Sequence, residues 1–193
     1  MTSIHSVFKP KIRQLFTLRN MTLMACLATL SIVGRIYMGM IPNVQPSTVI
    51  IICSALIYGV RFGLIIAVLT VLGSNLVLGF GPFVIMQLIA WGTVAVLSGM
   101  IGRFYEKIPH LLLSVYAGFT GLFFGFMVSL NVFIIGGPAA FWVYYLRGIP
   151  FDLYHAAGNF LFYLTLGPVL LKLLQRHKEK TFHQDPIELT DNK

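Results

Sequence analysis

Apolar segments long enough to cross a bilayer follow one another along most of this chain. Between residues 21 and 174, only short polar breaks or breaks containing Gly and Pro interrupt the hydrophobic runs. A membrane-spanning helix needs roughly 20 mainly apolar residues, within a usual range of about 17–25. Only 10% of the residues are charged, whereas soluble domains carry about 25%. So few charges cannot cover a surface that faces water, so the sequence predicts an all-α integral membrane protein.

The polar breaks divide the apolar region into six predicted transmembrane helices. Gly and Pro in these breaks, as in residues 79–82, are typical of turns between helices. The predicted helices span about residues 21–38, 47–59, 62–78, 83–101, 110–135 and 150–174, with a loop at 139–148 that includes a short amphipathic stretch. The second helix, at about 13 residues, is shorter than one crossing requires.

Most basic residues fall on one side of the membrane when six helices are counted, and Arg35 and Arg147 are the exceptions on the other side. The residues on the shared side include Lys9, Lys11, Arg13, Arg19, Arg61, Arg103, Lys107, Lys172, Arg176, Lys178 and Lys180. Because Lys and Arg are retained on the cytoplasmic side, both termini are predicted to be cytoplasmic. The predicted organisation is a basic N-terminal segment (1–20), a membrane domain (21–174) and a polar cytoplasmic tail (175–193). The net charge of +8 therefore indicates topology and contact with anionic headgroups, not nucleic-acid binding.

Polar and aromatic side chains collect on the predicted outer side. An amide or charge that faces lipid is costly, so such groups usually face the bundle interior or a cavity. Because these polar and aromatic residues of several helices share one depth in the membrane, the sequence predicts an outward-facing pocket for a polar or amphipathic small molecule. The candidate binding residues are Arg35, Asn43, Gln45, Thr48, Asn75, Gln87, Trp91, Asn131, Trp142, Tyr145, Arg147, Asp152, His155 and Asn159. Interfacial belts and hydrogen bonds between helices are the structural alternatives for the aromatic and amide residues.

No motif in the sequence supports catalysis or self-powered transport. Walker A, G-x-S-x-G and H-E-x-x-H sequences are absent, and so is any paired Cys/His cluster for a metal. Ion-coupled carriers usually have an intramembrane carboxylate, whereas Asp152 lies at the outer edge of a predicted span. Two alternatives stay open. One is an intramembrane enzyme with Asp152 and His155 as its acid/base pair, and the other is a structural membrane protein without a ligand.

Small residues at four-residue spacing predict a surface for a partner protein. Ala25 and Thr29, with Ala28 close by, lie on the first predicted helix, and Gly63 and Ala67 lie on the third. Small residues at this spacing allow close approach of helices in lipid. Packing within the chain is the alternative for these residues.

The stretch from residue 35 to residue 48 reads RIYMGMIPNVQPST, and YGVRFG follows the next apolar run at residues 58–63. Together with the chain length and the six predicted helices, it resembles the substrate-binding S components of energy-coupling factor (ECF) transporters over about residues 21–174. The P-N-V-Q-P element with the following Thr48 is similar to cobalamin-specific members. The resemblance implies a non-enzymatic subunit in the plasma membrane of a prokaryote, which captures a vitamin outside and delivers it inward.

The resemblance also implies partners and a substrate. An S component docks on a transmembrane coupling protein that carries two cytoplasmic ATPases, and these partners use the ATP. Ala25 and Thr29 would face the coupling protein, although Thr29 replaces the second Ala of the usual A-x-x-x-A pattern. No permanently bound cofactor is implied. Cobalamin is the leading transported substrate, with queuosine, riboflavin, a pyridoxine-type vitamin or a cobalamin precursor as alternatives.

Overall fold

The computed structural model describes residues 16–41 and 43–182. Within these ranges every regular element is helical and no strand occurs. The helices are α1 (Leu18–Tyr37), α2 (Ser47–Tyr58), α3 (Val60–Leu78), α4 (Phe83–Ile101) and α5 (His110–Phe182), with short 3₁₀ turns at Met38–Met40 and Tyr105–Lys107. The all-helical prediction is thus confirmed for the described residues. Most of the predicted N-terminal segment (1–15) and of the polar tail (183–193) lies outside them.

Among residues 16–41 and 43–182, four helical segments are long and apolar enough to cross a membrane. They are Leu18–Met40, Val60–Leu78, Phe83–Ile101 and His110–Thr181. Helix α2 has 12 residues and is about 18 Å long at 1.5 Å per residue. It is therefore shorter than a hydrocarbon core of about 30 Å. Six crossings and the cytoplasmic location of both termini stay predictions.

Helix α2 lies at the centre of the bundle. All of its residues are buried, and it packs against α1, α3, α4 and α5. A helix that is apolar on every side is typical of such a position. Gly59 alone connects α2 to α3, with a φ of 87° that glycine adopts without the steric cost of a side chain.

Helix α5 is a hairpin, not a straight rod. Its 73 residues would extend for about 110 Å, but Gly137 is non-helical, with φ 75° and ψ −174°. The chain reverses at this residue, so the first arm (110–136) packs against the second arm (138–182). The pairing is antiparallel, because Gly121 approaches Ala156 while the ring of Phe126 contacts that of Tyr145.

Two boundaries predicted in this region are wrong. Residues 139–148, predicted as a loop, are helical and belong to the second arm. Pro150, predicted at the first turn of the sixth helix, lies inside the second arm. Pro138 directly follows the break at Gly137 and takes that first-turn position, where its missing N–H costs no helical hydrogen bond. The second arm also continues to Phe182, beyond the helix end predicted at about residue 174, while the domain boundary predicted there stays a prediction.

The two ends of the bundle differ in charge. The Lys178 ammonium donates to the Ile57 carbonyl oxygen at 2.8 Å, and the Gln175 amide donates to the Tyr105 hydroxyl. These contacts place the ends of α2 and α5 and the α4–α5 connection together, beside the start of α1. We call this the basic end because it holds, among the described residues, Arg19, Arg61, Arg103, Lys107, Lys172, Arg176, Lys178 and Lys180.

Candidate functional site

A cavity of about 600 Å³ opens at the end of the bundle opposite the basic end. The end of α1, the α1–α2 connection, the end of α3, the first half of α4 and both arms of α5 contribute to its wall. Its volume lies within the range of about 300–1,000 Å³ that is typical of small-molecule sites. Asn43, Tyr144 and Phe151 are exposed at its rim, so the cavity is open to its surroundings.

Six of the fourteen predicted binding residues line this cavity. They are Arg35, Asn43, Gln45, Gln87, Arg147 and Asp152. Among the described residues, the three charged members form no ion pair with one another or with any other side chain. The cavity therefore presents charges of both signs, together with amide groups, to a ligand.

Arg35 is held against the floor of the cavity. Its Nη1 donates to Ser74 Oγ at 2.6 Å, and Ser74 Oγ donates to the Thr70 carbonyl oxygen at 2.6 Å. The guanidinium carbon lies 5.1 Å from the centre of the Trp91 ring, a position stabilised by the quadrupole of the indole. Arg has five N–H donors, so donors remain for a ligand once Arg35 is fixed in this orientation.

Beneath Arg35, Trp91, Thr48 and His155 form a buried hydrogen-bond chain. Trp91 Nε1 donates to Thr48 Oγ1 at 3.1 Å, and Thr48 Oγ1 lies 3.2 Å from His155 Nε2. If the Thr48 hydroxyl donates to Nε2, this hydroxyl, Trp91 Nε1 and His155 Nε2 are all hydrogen-bonded. The opposite arrangement leaves the hydroxyl proton of Thr48 without an acceptor among the residues that the structure describes. The geometry therefore favours the neutral His155 tautomer that carries its proton on Nδ1.

Several polar atoms below the cavity lack a partner among the described residues. They are Nδ1 of His155, both amide atoms of Asn159 and Oδ1 of Asn75. Buried polar groups are normally hydrogen-bonded, so such atoms indicate places for water or a ligand group. Asp152, His155 and Asn159 are spaced by three and four residues and lie on one face of the second arm. Asn75 Nδ2 also donates to Gln87 Oε1 at 2.9 Å, which positions that amide in the wall.

Three predicted binding residues lie away from the cavity. Asn131 donates to the Val128 carbonyl oxygen of its own arm. Trp142 and Tyr145 belong to an aromatic cluster near the tip of the hairpin, where each ring packs against Phe141, with ring centres 5.1 and 5.7 Å apart. This location agrees with the interfacial alternative for aromatic residues.

Sequence reasoning missed the apolar part of the lining. Phe124, Gly125 and Phe151 line the cavity, and a Cβ on Gly125 would overlap the carboxyl group of Asp152. In the sequence these residues are ordinary members of apolar runs, so no local signal marks them. The position of Ser74 could have been predicted to matter, because small polar residues inside membrane spans often form hydrogen bonds to neighbouring helices.

The predicted partner residues divide into two groups. Ala25 and Thr29 are exposed on α1, whereas Ala28, Gly63 and Ala67 are buried within the chain. A Cβ on Gly63 would lie 2.6 Å from a side chain of α2, so this glycine permits close packing of α2 and α3. The surface that remains for a partner is Ala25 and Thr29, and their role stays a prediction.

The apolar spans, the buried central helix and the open polar cavity together define a multi-pass membrane protein with an open cavity at one end. The family model described as "ECF transporter, substrate-specific component" matches residues 19–167. The chain therefore belongs to the substrate-specific (S) component family of ECF transporters and is a transporter subunit. Members of this family work with a membrane coupling protein and ATPases. No curated protein and no solved structure matches the chain.

Proposed function

We propose that this S component captures cobalamin in the open cavity and delivers it inward when partner ATPases energise the complex. The main support for this proposal is a cavity of about 600 Å³, which combines buried amides with charged side chains that form no ion pair with any described residue. Membership of the family supports the transport role. The P-N-V-Q-P segment supports the choice of vitamin, because Asn43 and Gln45 both line the cavity.

The polar groups of the cavity match the chemistry of a corrin vitamin. Cobalamin carries primary carboxamides around its ring and a phosphodiester on its nucleotide loop. The amides of Asn43, Gln45 and Gln87 each supply both donors and acceptors, as carboxamide recognition requires. The guanidinium groups of Arg35 and Arg147 supply the charged N–H donors that suit a phosphodiester oxygen.

The open rim also favours a large substrate. Tyr144, Arg147 and Phe151 are exposed where the cavity opens, so part of a corrin can project past the wall. A smaller vitamin, such as riboflavin, needs a closed pocket to bury most of its surface.

Inward delivery in this proposal depends on movement of the whole subunit. Helix α2 is buried on every side between the cavity and the basic end, so packed helix occupies the direct path between the two ends in the described part of the chain. The basic end faces the cytoplasm in this arrangement because Lys and Arg are retained there. The coupling protein then docks on the exposed face of α1 that carries Ala25 and Thr29.

A binding panel with the full-length protein in nanodiscs tests the substrate. We expect saturable binding of cyanocobalamin and none of riboflavin, pyridoxal or queuine. Arg35→Gln and Gln87→Leu should each weaken binding, whereas Trp142→Phe, remote from the cavity, should not. Saturable binding of a smaller vitamin without binding of cobalamin would overturn the assigned substrate.

A further inference from the structure

A second cavity lies at the basic end, between the start of α1 and the end of α5. Its volume is about 480 Å³. Its wall includes Leu18, Arg19, Leu23 and Cys26 of α1, together with His177 and Lys180 of the second arm. We call this cavity the basic groove. It lies about 24 Å along α1 from Arg35 and is separate from the candidate substrate site.

The polar part of the basic groove is cationic. Arg19 and Lys180 are exposed, and neither forms an ion pair with any described residue. No carboxylate lines the groove in the part of the chain that the structure describes. Two cations held on facing helices repel one another, so an anion between them lowers the electrostatic energy.

The other part of the groove is apolar and continues into the outer face of α1. Leu18 is 81% exposed, and exposed apolar side chains continue along the helix to Leu30 and Val33. Helix α1 belongs to a candidate membrane span, so acyl chains contact this face. A soluble phosphate compound would leave the apolar wall uncovered, whereas a phospholipid covers it.

We propose that the basic groove binds an anionic phospholipid. The phosphate headgroup lies between Arg19 and Lys180, and an acyl chain lies along Leu18 and Leu23. Basic pockets between transmembrane helices are known binding sites for anionic headgroups. The lipid links the start of α1 to the end of α5 across the groove. This site is independent of the substrate assigned to the cavity at the other end.

Cys26 gives a direct readout of groove occupancy. It is exposed within the groove, while Cys53 is buried. The full-length protein is placed in phosphatidylcholine nanodiscs with or without phosphatidylglycerol of the same acyl chains, and modification by N-ethylmaleimide is followed by mass spectrometry. We expect phosphatidylglycerol to slow modification of Cys26, and we expect soluble glycerol 3-phosphate in phosphatidylcholine nanodiscs to have no effect. Cys53 should stay unmodified, which reports an intact fold.

Matched charge variants separate a defined site from general attraction. Arg19→Gln with Lys180→Gln removes both groove cations, whereas Arg103→Gln with Lys107→Gln removes two exposed cations elsewhere at the basic end. In native mass spectrometry, the groove variant should bind phosphatidylglycerol roughly 30-fold more weakly, and the control should bind it as the wild type does.

Three results would overturn the proposal. They are equal loss of phosphatidylglycerol in both variants, protection of Cys26 by soluble glycerol 3-phosphate, and protection of Cys26 by the coupling protein but not by the lipid.

Discussion

Substitution of Gly121 by Ala tests the close packing of the two arms of α5. A Cβ at this position would lie 2.7 Å from the backbone nitrogen of Ala156 and 2.8 Å from its Cα. The arms must separate by about 0.7 Å to restore ordinary contact at 3.4 Å. Because the contacted atoms belong to the backbone, no side-chain rotation relieves the overlap. Gly118 is a matched control, since its Cβ would meet the nearest atom at 3.3 Å.

The two substitutions should differ clearly in their effect on stability. Overpacking of a close contact costs about 1–3 kcal/mol, while replacing Gly by Ala in a helix interior gains up to about 1 kcal/mol. Backbone overlap places Gly121→Ala near the upper end of that cost, so we expect a net loss of about 2 kcal/mol. Gly118→Ala needs only a small shift and should be neutral or slightly stabilising.

Thermal unfolding of the full-length protein in detergent, followed by intrinsic fluorescence, measures this difference. A loss of about 2 kcal/mol lowers the Tm by roughly 4–8 °C in a chain of this size. Gly121→Ala should also weaken substrate binding, because separation of the arms displaces His155 and Asp152 from their positions at the cavity. If Gly121→Ala were as stable as Gly118→Ala, the antiparallel packing of the arms at this face would be incorrect.

Three further predictions concern the cavity floor. Thr48→Val leaves Trp91 Nε1 and His155 Nε2 without a partner and should cost about 1–2 kcal/mol in thermal unfolding, whereas Thr48→Ser should retain the wild-type Tm. Arg35→Lys should fail to restore the affinity lost in Arg35→Gln, because Lys cannot reproduce the planar guanidinium over the Trp91 indole. Titration calorimetry measures the affinity of both variants, and wild-type affinity in Arg35→Lys would contradict this prediction. Asn75→Leu removes the donor that positions a wall amide, so it should weaken binding measured in the same way, with a smaller effect than Arg35→Gln.

Helices flanked by clear turn residues could be placed from the sequence. The bounds predicted for α4, residues 83–101, match the observed helix Phe83–Ile101, because Gly and Pro precede it and Gly102 follows it. The central position of α2 could not be predicted in the same way. Its apolar run is consistent both with a short crossing and with a core helix, and only its neighbours decide between them.

The incorrect prediction of a loop at residues 139–148 shows that tertiary packing can decide secondary structure against the local sequence pattern. A loop is predicted there because the segment follows the break at Gly136, Gly137 and Pro138, but Pro138 begins a new helix immediately after Gly137. Pairing with the first arm then keeps this segment helical, as the contact between Phe126 and Tyr145 illustrates. Local composition contains no information on such a partner.

The polar half of the candidate site was more predictable than its apolar half. A charged side chain such as Arg35 or Asp152 has a high free-energy cost when it faces lipid, and this cost favours a position in a cavity. Phe124 lines the same cavity but would suit a lipid-facing or core position equally well.

Uptake of radiolabelled cobalamin tests most directly whether this chain captures the vitamin for transport driven by its partners. Cells that lack their own cobalamin uptake would express the chain with a coupling protein and two ATPases, or with the coupling protein alone. We expect accumulation only with the complete set, and we expect Arg35→Gln to reduce it. Uptake that is equally fast without the ATPases, or no uptake with the complete set, would contradict the proposed function.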